Sequence, residues 1–171
     1  MDVDLDAPGG LAITRDDLGG EAATALIAAL NAELSDLYPE PGANHFRLDP
    51  DEVAPGAGVF LVARSSGRPV GCGAARCLRD AALVSQLGPR VGEIKRMYVA
   101  PVARGRGIGR ALLVRLEAEA RDLGLTRLVL ETGARQGEAL ALYRGAGFVE
   151  IPPYGEYVAS AATSVCMAKE L

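Results

Sequence analysis

Apolar residues recur along this chain in two rhythms, and the alternation between them lays out most of the secondary structure. Ala23, Leu26, Ile27, Leu30, Leu34 and Leu37 repeat at three- and four-residue spacing until Tyr38-Pro39 ends the pattern, which predicts a helix over residues 20 to 37. Leu11 to Thr14 reads as a short strand before it. Residues 39 to 57, rich in Pro, Gly and Asp, read as a loop or a short second helix. Val59 to Arg64 and Pro69 to Leu78 then bracket Ser65-Ser66-Gly67-Arg68 as a β-hairpin, and residues 79 to 90 follow neither rhythm. Glu93 to Val99 and Arg127 to Thr132 read as strands on either side of a helix. Its apolar stripe is Ile108, Ala111, Leu112, Leu116, Ala120 and Leu123, stopped by Gly124. Ala139, Leu142, Tyr143 and Ala146 mark a last helix capped by Gly147, before strands near Phe148 to Ile151 and Ser164 to Lys169. Two strands around one helix make a βαβ unit with parallel strands and a right-handed crossover; the antiparallel hairpin makes the sheet mixed, so the fold class is α/β.

Composition narrows the class of protein. A chain of 171 residues with 49% hydrophobic and 23% charged residues suits one domain, and no repeat or linker divides residues 1–171. No apolar run reaches membrane-spanning length, and Met1-Asp2-Val3-Asp4-Leu5-Asp6 is acidic where a signal peptide is basic, so a cytoplasmic protein without a membrane partner is expected. Cys72, Cys77 and Cys166 are odd in number and lack metal-ligand spacing; buried thiols are expected, with no disulfide framework and no metal. The net charge of −4 conceals a polarity: residues 1 to 60 hold twelve acidic against two basic residues, and residues 61 to 171 hold ten against sixteen. The acidic segment either attracts a cationic acceptor or serves solubility. An acidic balance and eight aromatic residues, none of them Trp, disfavour nucleic-acid binding.

The sharpest chemical signal is Arg104-Gly105-Arg106-Gly107-Ile108-Gly109, which follows an apolar strand and opens a helix. Glycines let the backbone turn tightly and bring its N–H groups to a ligand, and the first helical turn adds unpaired donors and the positive end of its dipole. Arg104, Arg106 and Arg110 add full charge, so the loop suits a phosphate-bearing ligand; the alternative is a glycine-rich surface turn. The Walker A pattern fails because Gly109 is followed by Arg110 and Ala111. The dinucleotide fingerprint fails in both registers, at Arg110 and at Leu112.

Gly92-Glu93-Ile94-Lys95-Arg96-Met97-Tyr98-Val99-Ala100-Pro101 lies upstream of this loop and Ala139-Leu140-Ala141-Leu142-Tyr143-Arg144-Gly145-Ala146-Gly147-Phe148 downstream. In that order, the three segments resemble the GCN5-related N-acetyltransferase (GNAT) superfamily over residues 58 to 171, most specifically over 92 to 150. The resemblance implies a GNAT-like fold, in which the central parallel strands splay to admit the pantetheine arm of acetyl-CoA. It divides the domain into an acceptor-covering part, about 1–57, and an acetyl-CoA-binding core, about 58–171. It also implies that Met97, Tyr98, Val99, Arg104, Gly105, Arg106, Gly107, Ile108, Gly109, Arg110, Gln136 and Tyr143 bind the cofactor. Gln136 stands where many relatives carry Asn, and Arg135 beside it reads equally as a phosphate or acceptor contact or as a solvated helix start.

Acetyl transfer needs a neutral amine, a stabilised oxyanion and a protonated leaving group. At pH 7 only about one alkylamine in a thousand is neutral, so a base near the acceptor is required. Glu93 matches the glutamate that serves as general base in several family members. Its alternative is a plain ion pair with Lys95, two residues along the same strand face. The resemblance further implies a strand bulge near Met97 and Val99 that turns backbone N–H groups to the oxyanion. Tyr143, from the family's Tyr-x-x-x-Gly-Phe pattern, is the general-acid candidate, or else a core tyrosine beside Ala139 and Leu142. His45 has no partner set by spacing and reads as an acceptor contact or a surface residue. Pro152-Pro153-Tyr154-Gly155-Glu156-Tyr157 reads as a rigid aromatic turn, lining the acceptor pocket or packing a connection.

The resulting expectation is an acetyl-CoA-dependent N-acetyltransferase acting on a small-molecule primary amine by direct transfer. The rivals are a protein lysine or N-terminal acetyltransferase and a non-catalytic CoA-binding regulatory domain. The acceptor's identity is not written in the motifs, and the resemblance admits a homodimer.

Overall fold

The computed structural model describes residues 10 to 44 and 47 to 171, so the acidic Met1–Asp6 and His45 lie outside the described residues. Seven strands form one sheet in the order β1-β2-β3-β4-β5-β7-β6. They are β1 Leu11–Arg15, β2 Gly58–Ser65, β3 Arg68–Cys77, β4 Val91–Val99, β5 Arg127–Gly133, β6 Val149–Ile151 and β7 Ser164–Glu170. The helices are α1 Glu21–Leu37, α2 Ala81–Leu87, α3 Ile108–Asp122 and α4 Gly137–Gly145. The fold is α/β with a mixed sheet: β4 and β5 are parallel and joined through α3, while the other neighbours are antiparallel.

The elements stand close to where the hydrophobic pattern puts them. Residues 79 to 90, without a rhythm of their own, hold α2, a seven-residue helix started by Asp80, whose carboxylate accepts from the amides of Ala82 (3.0 Å) and Leu83 (3.2 Å). Of the open alternative at residues 39 to 57, the described residues form loop with one 3₁₀ turn, Pro50–Val53.

Alternation along the strands separates two faces. Leu61, Ile94, Leu128, Leu130 and Met167 pack with Leu112, Leu113 and Leu116 of α3 and with Tyr143 and Phe148 of the α4 segment. On the other face, Phe60, Val62, Cys72, Ala74 and Tyr98 receive Ala23, Leu26 and Leu30 of α1. Val91, Val129, Cys166 and Ala168 receive Tyr154 and Tyr157 from the segment after β6. Each fully buried Leu contributes about 1.5–3 kcal/mol relative to exposure, which makes the α3 face the main anchor of the sheet.

Two irregularities shape the centre. Pairing of β4 with β5 runs from Val91↔Arg127 to Ile94↔Leu130 and then ends, although both strands continue. Between Cys72↔Tyr98 and Ala74↔Lys95, β4 advances three residues while β3 advances two, which is a bulge. Arg96 carries it with φ +57°, a left-handed conformation that a non-glycine side chain adopts only under constraint from its surroundings. Opposite it, a Cβ on Gly73 would stand 2.6 Å from Met97 Sδ, so this glycine clears the space into which Met97 turns. At the far end of β5, the Tyr38 ring lies against Gly133 so closely that a Cβ there would overlap it.

Gly133→Ala should therefore destabilise the fold by about 1–3 kcal/mol. In a Tyr38→Ala background the same change should cost clearly less. Urea unfolding of the four proteins of that cycle measures the coupling.

Candidate active site

The glycine loop leads into α3 with Gly105 and Gly107 both at φ +78°, the left-handed conformation that glycine adopts without steric cost. No side chain caps α3, and the first intrahelical donor is the Ala111 N–H, 3.0 Å from the Gly107 carbonyl. The amides of Ile108, Gly109 and Arg110 thus head the helix without an intrahelical acceptor. They border a cleft of about 430 Å³ also lined by Met97 to Val99 of β4, by Leu30, Glu33 and Leu37 of α1, and by Arg135 to Ala139 and Tyr143 at the start and middle of α4. An uncapped helix N-terminus behind two left-handed glycines suits a diphosphate, and the apolar cleft beyond it suits a thin flexible arm.

Two predicted contacts are partly engaged within the protein. Arg104 pairs with Glu33 of α1 (2.8 Å), donates through Nε to the Val99 carbonyl (2.8 Å) and lies over the Tyr98 ring. Gln136 turns its carbonyl to the Gly133 amide (2.8 Å), so any contact with a pantetheine arm falls to its NH₂ end. Arg110 lines the cleft. Arg106 is exposed at the loop.

Where β4 and β5 part, the cleft opens into a small chamber of about 90 Å³, and Met97, Gln136, Ala139 and Tyr143 line both. Burial, with Glu131 adding to it, raises the Tyr143 phenol well above its ordinary value, so it stays protonated and offers a hydrogen-bond donor. The chamber also contains Lys95, Arg96, Glu131 and Tyr157, and Tyr38 and Asn44 roof it. Lys95 and Tyr157 continue into a third, polar pocket of about 460 Å³ lined by Arg47, Arg76, Asp80 and Glu156. The turn after β6 lines this pocket through Tyr154, Gly155, Glu156 and Tyr157.

Glu93 is 1% exposed and fully partnered: Arg76 holds Oε1 through Nε (2.9 Å) and Nη2 (2.7 Å), and the Tyr154 hydroxyl donates to Oε2 (2.6 Å). The ion pair weighed for it, with Lys95, does not form; Lys95 lies 3.7 Å from Glu156 instead. Glu131 is a carboxylate the sequence reading passed over. Burial pushes it up to about 7, Ser164 lowers it, Glu93 and Glu156 raise it and Lys95 opposes them. The signal was available, since a charge in Leu128-Val129-Leu130-Glu131-Thr132 stands out on an apolar strand as Glu93 does.

The roof is tied to the cofactor side. Arg135 pairs with Glu40, donates to the Leu37 carbonyl (2.9 Å) and lies over the Tyr38 ring, whose hydroxyl accepts from the Arg135 amide (2.7 Å). Arg135 is thus ion-paired just before α4 and also lines the cleft beside the glycine loop.

A family model described as Acetyltransferase (GNAT) family matches residues 24–148 of the chain. The chain belongs to the GNAT family. It is an N-acetyltransferase, with an IAA acetyltransferase from Azospirillum brasilense 46% identical over 85% of this chain and 88% of that protein. An aminoglycoside N(6')-acetyltransferase type 1 from Stenotrophomonas maltophilia is 36% identical over 54% of this chain and 60% of its own. A GNAT family acetyltransferase from Elizabethkingia anophelis, solved with acetyl-CoA bound, shares the fold at a TM-score of 0.64 and 19% identity, over 94% of this chain and 98% of that one. In this acetyltransferase, the expected splay of the parallel strands and the bulge beside Met97 are both present.

Of the three thiols expected to be buried, Cys72 and Cys166 are, and Cys77 is half-buried. Burial pushes Cys72 up to about 12 and Cys166 up to about 11, so neither supplies a thiolate near neutral pH.

Breaking the clamp on Glu93 should be costly. Arg76→Met leaves a buried carboxylate without its cation and should cost about 3–5 kcal/mol, whereas Tyr154→Phe removes one hydrogen bond and should cost about 1–3 kcal/mol. Equilibrium urea unfolding of both variants checks the ranking.

Proposed function

We propose that this GNAT enzyme moves the acetyl group of acetyl-CoA to the primary amine of a small molecule, by direct transfer within a ternary complex. The observation that carries the reading is the parting of β4 from β5 after Ile94 and Leu130, beside the uncapped start of α3. It joins a phosphate-suited cleft to a chamber open to a polar pocket on the other side. The amides of Ile108 to Arg110 would hold the diphosphate, with Gly105 and Gly107 setting their direction. Met97 to Val99, Gln136 and Tyr143 would line the arm. Bound there, acetyl-CoA supplies the acetyl thioester.

Tyr143 would donate its hydroxyl hydrogen to the departing sulfur, which its burial and raised value equip it to do as a protonated donor. Backbone N–H groups at the bulge, near Met97 and Val99, would meet the developing oxyanion; one such preorganised donor typically contributes about 2.7–4 kcal/mol. Glu93, the base candidate by resemblance, would act as a fixed charge at the acceptor mouth, since both its oxygens are already engaged. A chamber of about 90 Å³ supports a small amine over a folded protein segment as the group that reaches the thioester. The aminoglycoside and IAA acetyltransferases named above agree with a small-molecule acceptor.

Calorimetry should detect acetyl-CoA binding by the purified protein. A thiol-release assay against amino acids, polyamines, aminoglycosides and peptides should find turnover among the small amines. Turnover confined to peptides would replace the small-molecule reading with the protein-acceptor one. Tyr143→Phe should lower kcat by about 10²-fold or more while leaving acetyl-CoA affinity unchanged. Gly107→Val should weaken acetyl-CoA binding about tenfold, because a left-handed non-glycine residue costs about 1–2 kcal/mol.

A further inference from the structure

We infer that Glu131 is the proton acceptor of the transfer, taking a proton from the incoming ammonium at the point where the cofactor and acceptor cavities meet. The inference rests on the acetyl-transfer reading above and names a residue for a role that reading leaves open.

Position argues first. Leu130 is the last residue of β5 paired with β4, so Glu131 follows directly where the strands part. Alternation puts it on the face of Val129, which is the acceptor-side face shared with Glu93 and Lys95, not on the α3 face of Leu128 and Leu130. It lines the central chamber with Tyr143 and Met97, which also line the cofactor cleft, and with Lys95 and Tyr157, which also line the polar pocket. Glu93 lines the polar pocket and neither the chamber nor the cleft. Of these two carboxylates, Glu131 alone borders the chamber through which an amine must pass to reach a thioester, and Glu93 has both oxygens committed to Arg76 and Tyr154.

The surroundings suit proton exchange near neutrality. From β4, Glu93 raises the Glu131 carboxyl and Lys95 lowers it, while Arg96 is coupled to it as an opposite charge. From the 3₁₀ segment Gly155–Ser160, Glu156 raises it, and Tyr157 feels its charge. Ser164 of β7 lowers it, and Cys166 of the same strand, Tyr143 of α4 and Tyr38 after α1 are each raised by it. Burial outweighs the stabilising partners and pushes the carboxyl up to about 7. A base so placed accepts a proton readily at working pH and releases it readily to solvent.

The step balances. The amine nitrogen forms the C–N bond to the acetyl carbon, the C–S bond breaks, and sulfur leaves with the bonding pair. An ammonium gives up two protons in becoming an amide: one passes to Glu131 and then to solvent, and the other ends on the sulfur, met by the Tyr143 hydroxyl.

The pH profile of kcat/KM, measured with acetyl-CoA and the fastest amine of the panel, tests this. The wild type should rise through about pH 7 and level off until the amine itself titrates. Glu131→Gln should lose that plateau, fall about 10²- to 10⁴-fold at pH 7, and climb steadily with pH until free amine predominates, with calorimetric affinity for acetyl-CoA unchanged. Glu93→Gln should keep the limb near pH 7. Two readouts need no turnover. Carboxyl-carbon NMR should show one side chain titrating near pH 7 that is missing in Glu131→Gln. Since the raised carboxyl favours the folded state at low pH and loses that advantage as pH rises through about 7, Glu131→Gln should melt higher than wild type at pH 8 and equally at pH 4. A wild-type profile in Glu131→Gln, loss of the limb in Glu93→Gln instead, or a Glu131 resonance titrating in the ordinary carboxylate range overturns the assignment. Failure of the wild type to bind acetyl-CoA overturns the underlying reading instead.

Discussion

The loss of pairing between β4 and β5 is the constraint on which the site depends. Two parallel strands ordinarily keep their ladder to the end, because buried backbone groups left without partners are costly. Here the ladder stops after four pairs, and the β3–β4 bulge turns the backbone at Arg96 into a left-handed conformation just beyond that point. Gly73 makes the turn sterically feasible by giving Met97 its space. The fully buried leucines of α3 hold the sheet from one face, so the opening at its centre does not cost the fold its integrity. Cleft, chamber and polar pocket are then three stretches of one passage through the sheet.

Two carboxylates stand on the acceptor-side face of that passage, and the fold treats them differently. Glu93 receives a guanidinium on one oxygen and a phenol on the other, which fixes the orientation of its carboxyl group. Glu131 stands among charges of both signs, and burial raises its carboxyl. The same residue type on neighbouring strands thus meets contrasting surroundings. In proteins, burial and partners decide such a division more than the side chain does.

Much of this was legible beforehand, for identifiable reasons. The period of Leu26, Leu30 and Leu34, and that of Leu112 and Leu116, placed α1 and α3 because one face of each meets the sheet. The run of three glycines placed the diphosphate-suited loop because left-handed backbone is nearly a glycine privilege. Residues 79 to 90 gave no rhythm because a seven-residue helix presents too few turns for a period to emerge. Glu93 stood out as a charge on a strand, but its partners come from residue 76 and residue 154 and can only be found once the sheet register is known. Glu131 carried the same local signal. It stayed unremarked because no motif frames it, and its meaning depends on where the β4–β5 ladder ends.

The polarity of the chain, acidic at first and basic afterwards, acquires a structural sense from its ion pairs. Asp16 meets Arg64, Glu33 meets Arg104, Glu40 meets Arg135 and Glu52 meets Arg76, each an acid from the first sixty residues and a base from the remainder. On the proposed reading, these pairs stitch the segment that would cover the acceptor to the half that would hold the cofactor. Exposed pairs of this kind contribute about 0–1 kcal/mol each and weaken as salt screens them. The two stitches at Glu33 and Glu40 flank the cofactor cleft, so the hold of that covering segment varies with the ionic medium while the leucine-packed base of the sheet does not.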